Sequence, residues 1–91
     1  MSIKTIIESL SMDLLRAALG RHRGSILMAE RFEKEAYARN HELAMTNPQD
    51  DYLNSLISKT NRSLKSKSEK KADELLMYSV LLKNLIQSQY F

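Results

Sequence analysis

The chain has 91 residues, with 14 Lys and Arg, 11 Asp and Glu and no cysteine. That length holds one domain, residues 1–91, and the missing thiols exclude disulfides, thiolate catalysis and cysteine metal sites. Two glycines and one proline are too few turn residues for a sheet, while Leu, Ala, Glu, Lys, Ser and Arg dominate, so composition predicts an all-α fold.

The net charge of +3 is mild. Residues 1–46 carry seven bases and six acids, and residues 47–91 carry seven and five, so neither half is a basic tail. The start, Met1 to Glu8, has spaced apolar positions and an early acid, which is not the pattern of a signal peptide. The longest apolar-rich run, Leu75 to Ile86, is twelve residues, against the roughly 20 of a membrane span. A protein without a membrane span and with a cytoplasmic location is the expectation.

The first predicted helix carries Ile3, Ile6, Ile7, Leu10, Leu14, Ala17 and Ala18 on one face, with Ser2 as its cap. Lys4, Glu8 and Asp13 fall on the other face. Gly20 follows Leu19 where a left-handed C-cap would stand. Gly20-Arg21-His22-Arg23-Gly24 then reads as a joint between helices; the functional alternative is an anion grip by Arg21 and Arg23. A second helix is predicted from Ser25 through Ile26, Leu27, Ala29, Phe32, Ala36, Leu43 and Ala44, with a weakened stripe at Arg39 and Asn40. Fusion of the two into one helix is the alternative, at about 1 kcal/mol per interior glycine.

Asn47-Pro48-Gln49-Asp50 is the strongest punctuation, with Asn47 as N-cap, Pro48 in the first helical position and Asp50 three residues after the cap. The short connection predicts an antiparallel hairpin. The third helix turns Leu53, Leu56, Ile57 and Leu64 inward. An unbroken continuation would align Lys67 and Lys71 with that stripe, and Ser66 to Glu69 spells a capping box, so a break near residue 66 is favoured over one long helix. The last helix starts near residue 69. Leu75, Leu82 and Ile86 make one of its stripes, and Met77, Leu81 and Leu85 another. Two stripes predict either a central helix or an interface to another chain.

The chemistry is sparse. His22 and His41 lack partners at metal-ligand spacing, so no metal or cofactor is expected. No nucleophile motif or glycine-rich phosphate loop is present, and no catalytic residue is assigned. Lys59 to Lys71 holds six bases and one acid, which suits a phosphate backbone, but no aromatic residue lies between Tyr52 and Tyr78 to stack a base.

Asn47-Pro48-Gln49-Asp50-Asp51-Tyr52-Leu53-Asn54-Ser55-Leu56-Ile57-Ser58-Lys59 resembles the turn and following helix of bacterial type III secretion needle subunits, and Leu85-Ile86-Gln87-Ser88-Gln89-Tyr90-Phe91 is similar to their aromatic end. The resemblance covers the second half of the chain; the first helix and the Gly20 to Gly24 joint have no counterpart in that family. Small helical chaperones of the same systems are similar in size and form. The resemblance implies a helical hairpin that buries its faces against other proteins.

The expectation is therefore an all-α bundle of three or four helices built around an antiparallel hairpin, acting as a non-enzymatic protein-interaction module. It would self-associate as a homo-oligomer or bind a partner helix in a hetero-complex, as a secretion-apparatus subunit or chaperone would. The candidate interface is Leu53, Leu56, Ile57, Leu75, Met77, Tyr78, Leu81, Leu82, Leu85 and Ile86. The alternative is a small basic nucleic-acid-binding regulator using Arg21, Arg23, Lys59, Arg62, Lys65, Lys67, Lys70 and Lys71.

Overall fold

A computed structural model describes residues 2–89 of the chain. Tyr90 and Phe91, which end the segment resembling the secretion subunits, lie outside the described residues. Four helices follow one another: α1 (Ile3–His22), α2 (Ile26–Met45), α3 (Asp51–Lys65) and α4 (Lys71–Gln89). Each packs on its chain neighbour, and α4 also packs on α1, so the ring is closed. The extents of 36 × 21 × 20 Å are those of a two-by-two bundle. Its long dimension holds a twenty-residue helix of ~30 Å, and its width holds two helix axes about 8–10 Å apart with their side chains.

α1 is the most enclosed helix, with nine buried residues of twenty, against four in α2. Its Ser2 Oγ accepts the Thr5 amide, as the sequence predicts. Ile6, Ile7, Leu10, Leu14, Ala17 and Ala18 fill the core. Asp13 departs from expectation: it is buried against α2, not on the solvent face. On α2 the inward positions Ala29, Glu33, Ala36, Asn40 and Leu43 repeat every three or four residues. Two of the five are polar, which is why the apolar stripe weakens there. Ile26, Leu27 and Ala44, read as part of that stripe, are exposed instead. Asn40 Nδ2 donates to the Ile57 carbonyl at 3.0 Å, while Asn40 Oδ1 and Thr60 Oγ1 are buried without a partner. The α2–α3 side of the ring is thus built with polar groups in its interior.

The left-handed cap expected at Gly20 is formed by Gly24 instead. α1 does not stop at Gly20 but runs on to His22. Gly24 takes the left-handed conformation, with φ of 76°. The Ser25 amide donates to the Gly20 carbonyl at 2.8 Å and the Gly24 amide to the Arg21 carbonyl at 3.1 Å, the paired bonds of a Schellman cap. Gly20 is needed for a different reason. A Cβ placed there would lie 2.8 Å from the Ala29 amide nitrogen, so its absence sets how closely α1 and α2 approach.

The second joint also differs in detail. Asn47 is not the N-cap; its φ of 53° makes it the left-handed residue that ends α2, a conformation Asn tolerates. Asp50 caps α3 instead, its carboxylate accepting the Tyr52 and Leu53 amides at 2.9 and 3.3 Å. Pro48 lies before the helix, buried, and its carbonyl accepts from Asn54 Nδ2. The break near residue 66 is real, but no capping box forms there. Ser66 Oγ takes the Ser68 amide and Ser68 Oγ the Lys70 amide, so α4 begins at Lys71.

On α4 the inward positions are Leu75, Ser79, Leu82, Leu85 and Ile86. Ser79 faces Ser11 of α1. Ser11 Oγ donates to the Ser79 carbonyl at 2.9 Å, and Ser79 Oγ donates to the Ser11 carbonyl at 2.8 Å. Two short side chains that satisfy each other's backbone let α1 and α4 pack closely.

Substituting the two glycines separates their roles. Gly20→Ala is expected to lower stability by about 1–3 kcal/mol through overpacking against the Ala29 backbone. Gly24→Ala is expected to cost about 1–2 kcal/mol through conformation alone, and Gly24→Asn less. Urea midpoints of the three variants check both.

Candidate interaction surface

The ten apolar residues expected at an interface divide sharply. Leu53, Leu56, Ile57, Leu75, Leu82, Leu85 and Ile86 are buried in the core. They therefore present no free surface in the folded bundle. Tyr78 and Leu81 are half-buried against that core. Only Met77 is exposed. The reason is geometric: closing a ring of four helices uses Leu75, Leu82, Leu85 and Ile86 together, although they were divided between two stripes.

The surface that remains is a different face of α4. Leu76, Met77 and Val80 are 37%, 46% and 49% exposed. Asp73, Lys83 and Gln87 share that face and are also exposed. Positions 73, 76, 80, 83 and 87 alternate steps of three and four, the spacing of a helix-packing seam. Met12 of α1, 45% exposed, lines a groove of about 310 Å³ between the helices with Ile86 and the flanking Glu8, Lys83 and Gln87. Three exposed apolar side chains thus stand on one face of α4, and exposed Met12 lines a groove with Lys83 and Gln87 of that same face. Leu76 and Val80 fall on neither of the two α4 stripes read from the sequence, and Met12 lies off the apolar face read for α1. Elsewhere the exposed Ile26, Leu27, Met45 and Tyr52 stand near helix ends, and Tyr37, in the middle of α2, is exposed with Lys65 over its ring.

The eight basic candidates also separate. Arg21 and Lys71 are committed to Glu33. Arg21 donates through Nε and through Nη2, the latter at 2.9 Å, and Lys71 Nζ lies 3.0 Å from the same carboxylate. Lys71 Nζ also donates to the Leu64 carbonyl at 2.8 Å. Lys71 is thus buried despite its charge, against the expectation that a break would release it to solvent. Lys65 lies over the Tyr37 ring at 5.7 Å. Arg23, Lys59, Arg62, Lys67 and Lys70 are exposed. The Gly20 to Gly24 joint is therefore no anion grip by two guanidiniums, since one of the two is bonded to a carboxylate.

Burial pushes the Glu33 carboxyl up, but the hydrogen bonds and charges of Arg21 and Lys71 overcome it and hold it below the ordinary 4.5. Asp13 behaves oppositely. Burial first, then the charge of Glu35, raises its carboxyl above the ordinary 3.8, with Arg16 and Arg39 pulling the other way. Among the described residues no three His, Asp or Glu side chains come together as a metal site. No helix among them is long and apolar enough to cross a membrane.

The chain matches no family model, and no curated protein or solved structure matches it. The resemblance of residues 47–59 and 85–91 to secretion hairpins therefore rests on those two segments alone.

Glu33→Gln is expected to cost about 3 kcal/mol, because it leaves Lys71 buried without its counter-charge. Glu33→Leu with Lys71→Met is expected to recover most of that loss. A carboxyl held below its ordinary pKa stabilises the fold fully above pH 4.5 and loses that contribution as pH falls through its folded value. The gap between wild type and Glu33→Gln in urea should shrink accordingly in acid. For Asp13 the sign reverses. Asp13→Asn is expected to raise the neutral-pH melting temperature, with the gain fading as pH falls toward 3.8.

Proposed function

We propose that this chain is a helical protein-interaction module without catalytic activity, and that it docks through the outer face of α4. The observation that carries the reading is the exposure of Leu76, Met77 and Val80 together on a helix whose inner face is already used by the core, with Met12 exposed in the groove lined by Lys83 and Gln87. Contiguous apolar surface on a small soluble bundle marks a contact site more often than scattered apolar residues do. Methionines suit such a face because they repack around different shapes. The resemblance of residues 47–59 to secretion-apparatus hairpins fits the same reading, since those subunits and their chaperones bury helix faces against other proteins. The nucleic-acid alternative has less support. Two of its eight bases are turned to Glu33, and Lys65 lies over an aromatic ring of the chain itself.

A paired substitution tests the docking face. Met77→Glu with Val80→Glu changes two exposed positions, so each is expected to alter stability by less than about 0.5 kcal/mol. Tagged wild type and variant, purified from the same cells, are compared for every chain they retain, untagged copies of this one included. A chain held by the wild type and lost by the folded variant is the expected result. A partner held equally by both, or no retained chain at all, overturns the reading.

A further inference from the structure

We infer that the occupant of the α4 outer face is the same face of a second copy, packed antiparallel about a two-fold axis level with residue 78. This rests on the docking reading above and names its partner. The argument is one of position and charge. Leu76 and Val80 stand two residues either side of 78, and Asp73 and Lys83 stand five either side, all on the one seam. An antiparallel pairing about that level sets Leu76 against Val80 of the second copy, and Asp73 against Lys83 of the second copy. The two-fold axis repeats both contacts. An apolar centre is then closed at each end by an acid meeting a base.

Both charges are free to make that contact. The Asp73 side chain is 77% exposed, and its nearest basic neighbour is His22, at 3.5 Å, a pair charged only when the imidazole is protonated. Lys83 is exposed and makes no ion pair with any described residue. A parallel pairing in register would set Asp73 against Asp73 and Lys83 against Lys83. Charge therefore selects the antiparallel arrangement, in the way rim charges fix orientation and register across an interface. Met77 flanks one side of the apolar centre and Met12 lies by the α1 groove on the other. An isologous contact of this kind closes on itself, so the assembly stops at a dimer.

Sedimentation equilibrium across a concentration series reads the assembly directly. The wild type is expected to move from monomer to dimer and no further. Val80→Glu is expected to weaken the dimer by at least about tenfold, with a melting temperature unchanged at concentrations where both proteins are monomeric. Asp73→Lys alone and Lys83→Asp alone should each weaken it several-fold, because each sets like charges together. The double variant Asp73→Lys/Lys83→Asp should return to within about threefold of wild type. A merely local effect of a base in the first turn of α4 would not be repaired at position 83, so the rescue distinguishes pairing from helix stability. A monomer at all concentrations up to about 1 mM overturns the proposal, as does a dimer indifferent to Val80→Glu or a double variant weaker than both singles. A monomeric wild type that still retains another chain through Met77 and Val80 removes the second copy as partner and leaves the docking face intact.

Discussion

One carboxylate holds the loop end of the bundle together. Glu33 sits on the inward seam of α2, where an apolar residue would ordinarily stand, and it receives Arg21 from α1 and Lys71 from α4. Lys71 in turn bonds the Leu64 carbonyl near the end of α3. All four helices meet through two hydrogen-bonding side chains and one acid. A buried charge without partners costs several kcal/mol, so any arrangement that separates these groups is disfavoured. The positions of the helix ends follow. α1 must reach Arg21, α3 must expose a carbonyl at Leu64, and α4 must begin at Lys71.

Polar residues inside a small core give position more than strength. Leucines slide past one another at little cost, whereas Ser11 and Ser79 bond each other's carbonyls at one register only. Asn40 does the same for α2 against α3 through the Ile57 carbonyl. The apolar residues supply the bulk of the driving force, in proportion to the area they remove from water. The serines, the asparagine and the Glu33 cluster decide which of several similar bundles forms.

Much of this was legible from residues alone. The helical spacing of Ile6, Ile7, Leu10 and Leu14 marks α1, the Asn47-Pro48 turn marks the hairpin, and the lysines at 67 and 71 mark the break that divides α3 from α4. Three features were not. Gly20 and Gly24 look equivalent in a sequence, and only the approach of Ala29 tells close packing from a left-handed cap. Lys71 reads as a solvated base because its partner lies 38 positions away at Glu33. The exposed apolar face of α4 was not legible either, because Leu76 and Val80 fall on neither stripe and only the closing of the ring buries Leu85 with Leu75, Leu82 and Ile86. Each failure has one cause: a tertiary partner, distant in the chain, reverses the meaning of a local residue.

The ring of helices has one seam unlike the others. Three of its interfaces join consecutive helices across short turns, but Ser11 and Ser79 are 68 residues apart. The entropy of closing a long loop is therefore concentrated at the α1–α4 seam. Contacts between consecutive helices can accumulate from local pairings, whereas the α1–α4 seam needs the whole ring. α4 forms one side of that seam, and its other side carries the apolar face proposed for docking. Whatever seats on its outer surface acts as a latch on the seam beneath, raising the free energy of the opening that begins there.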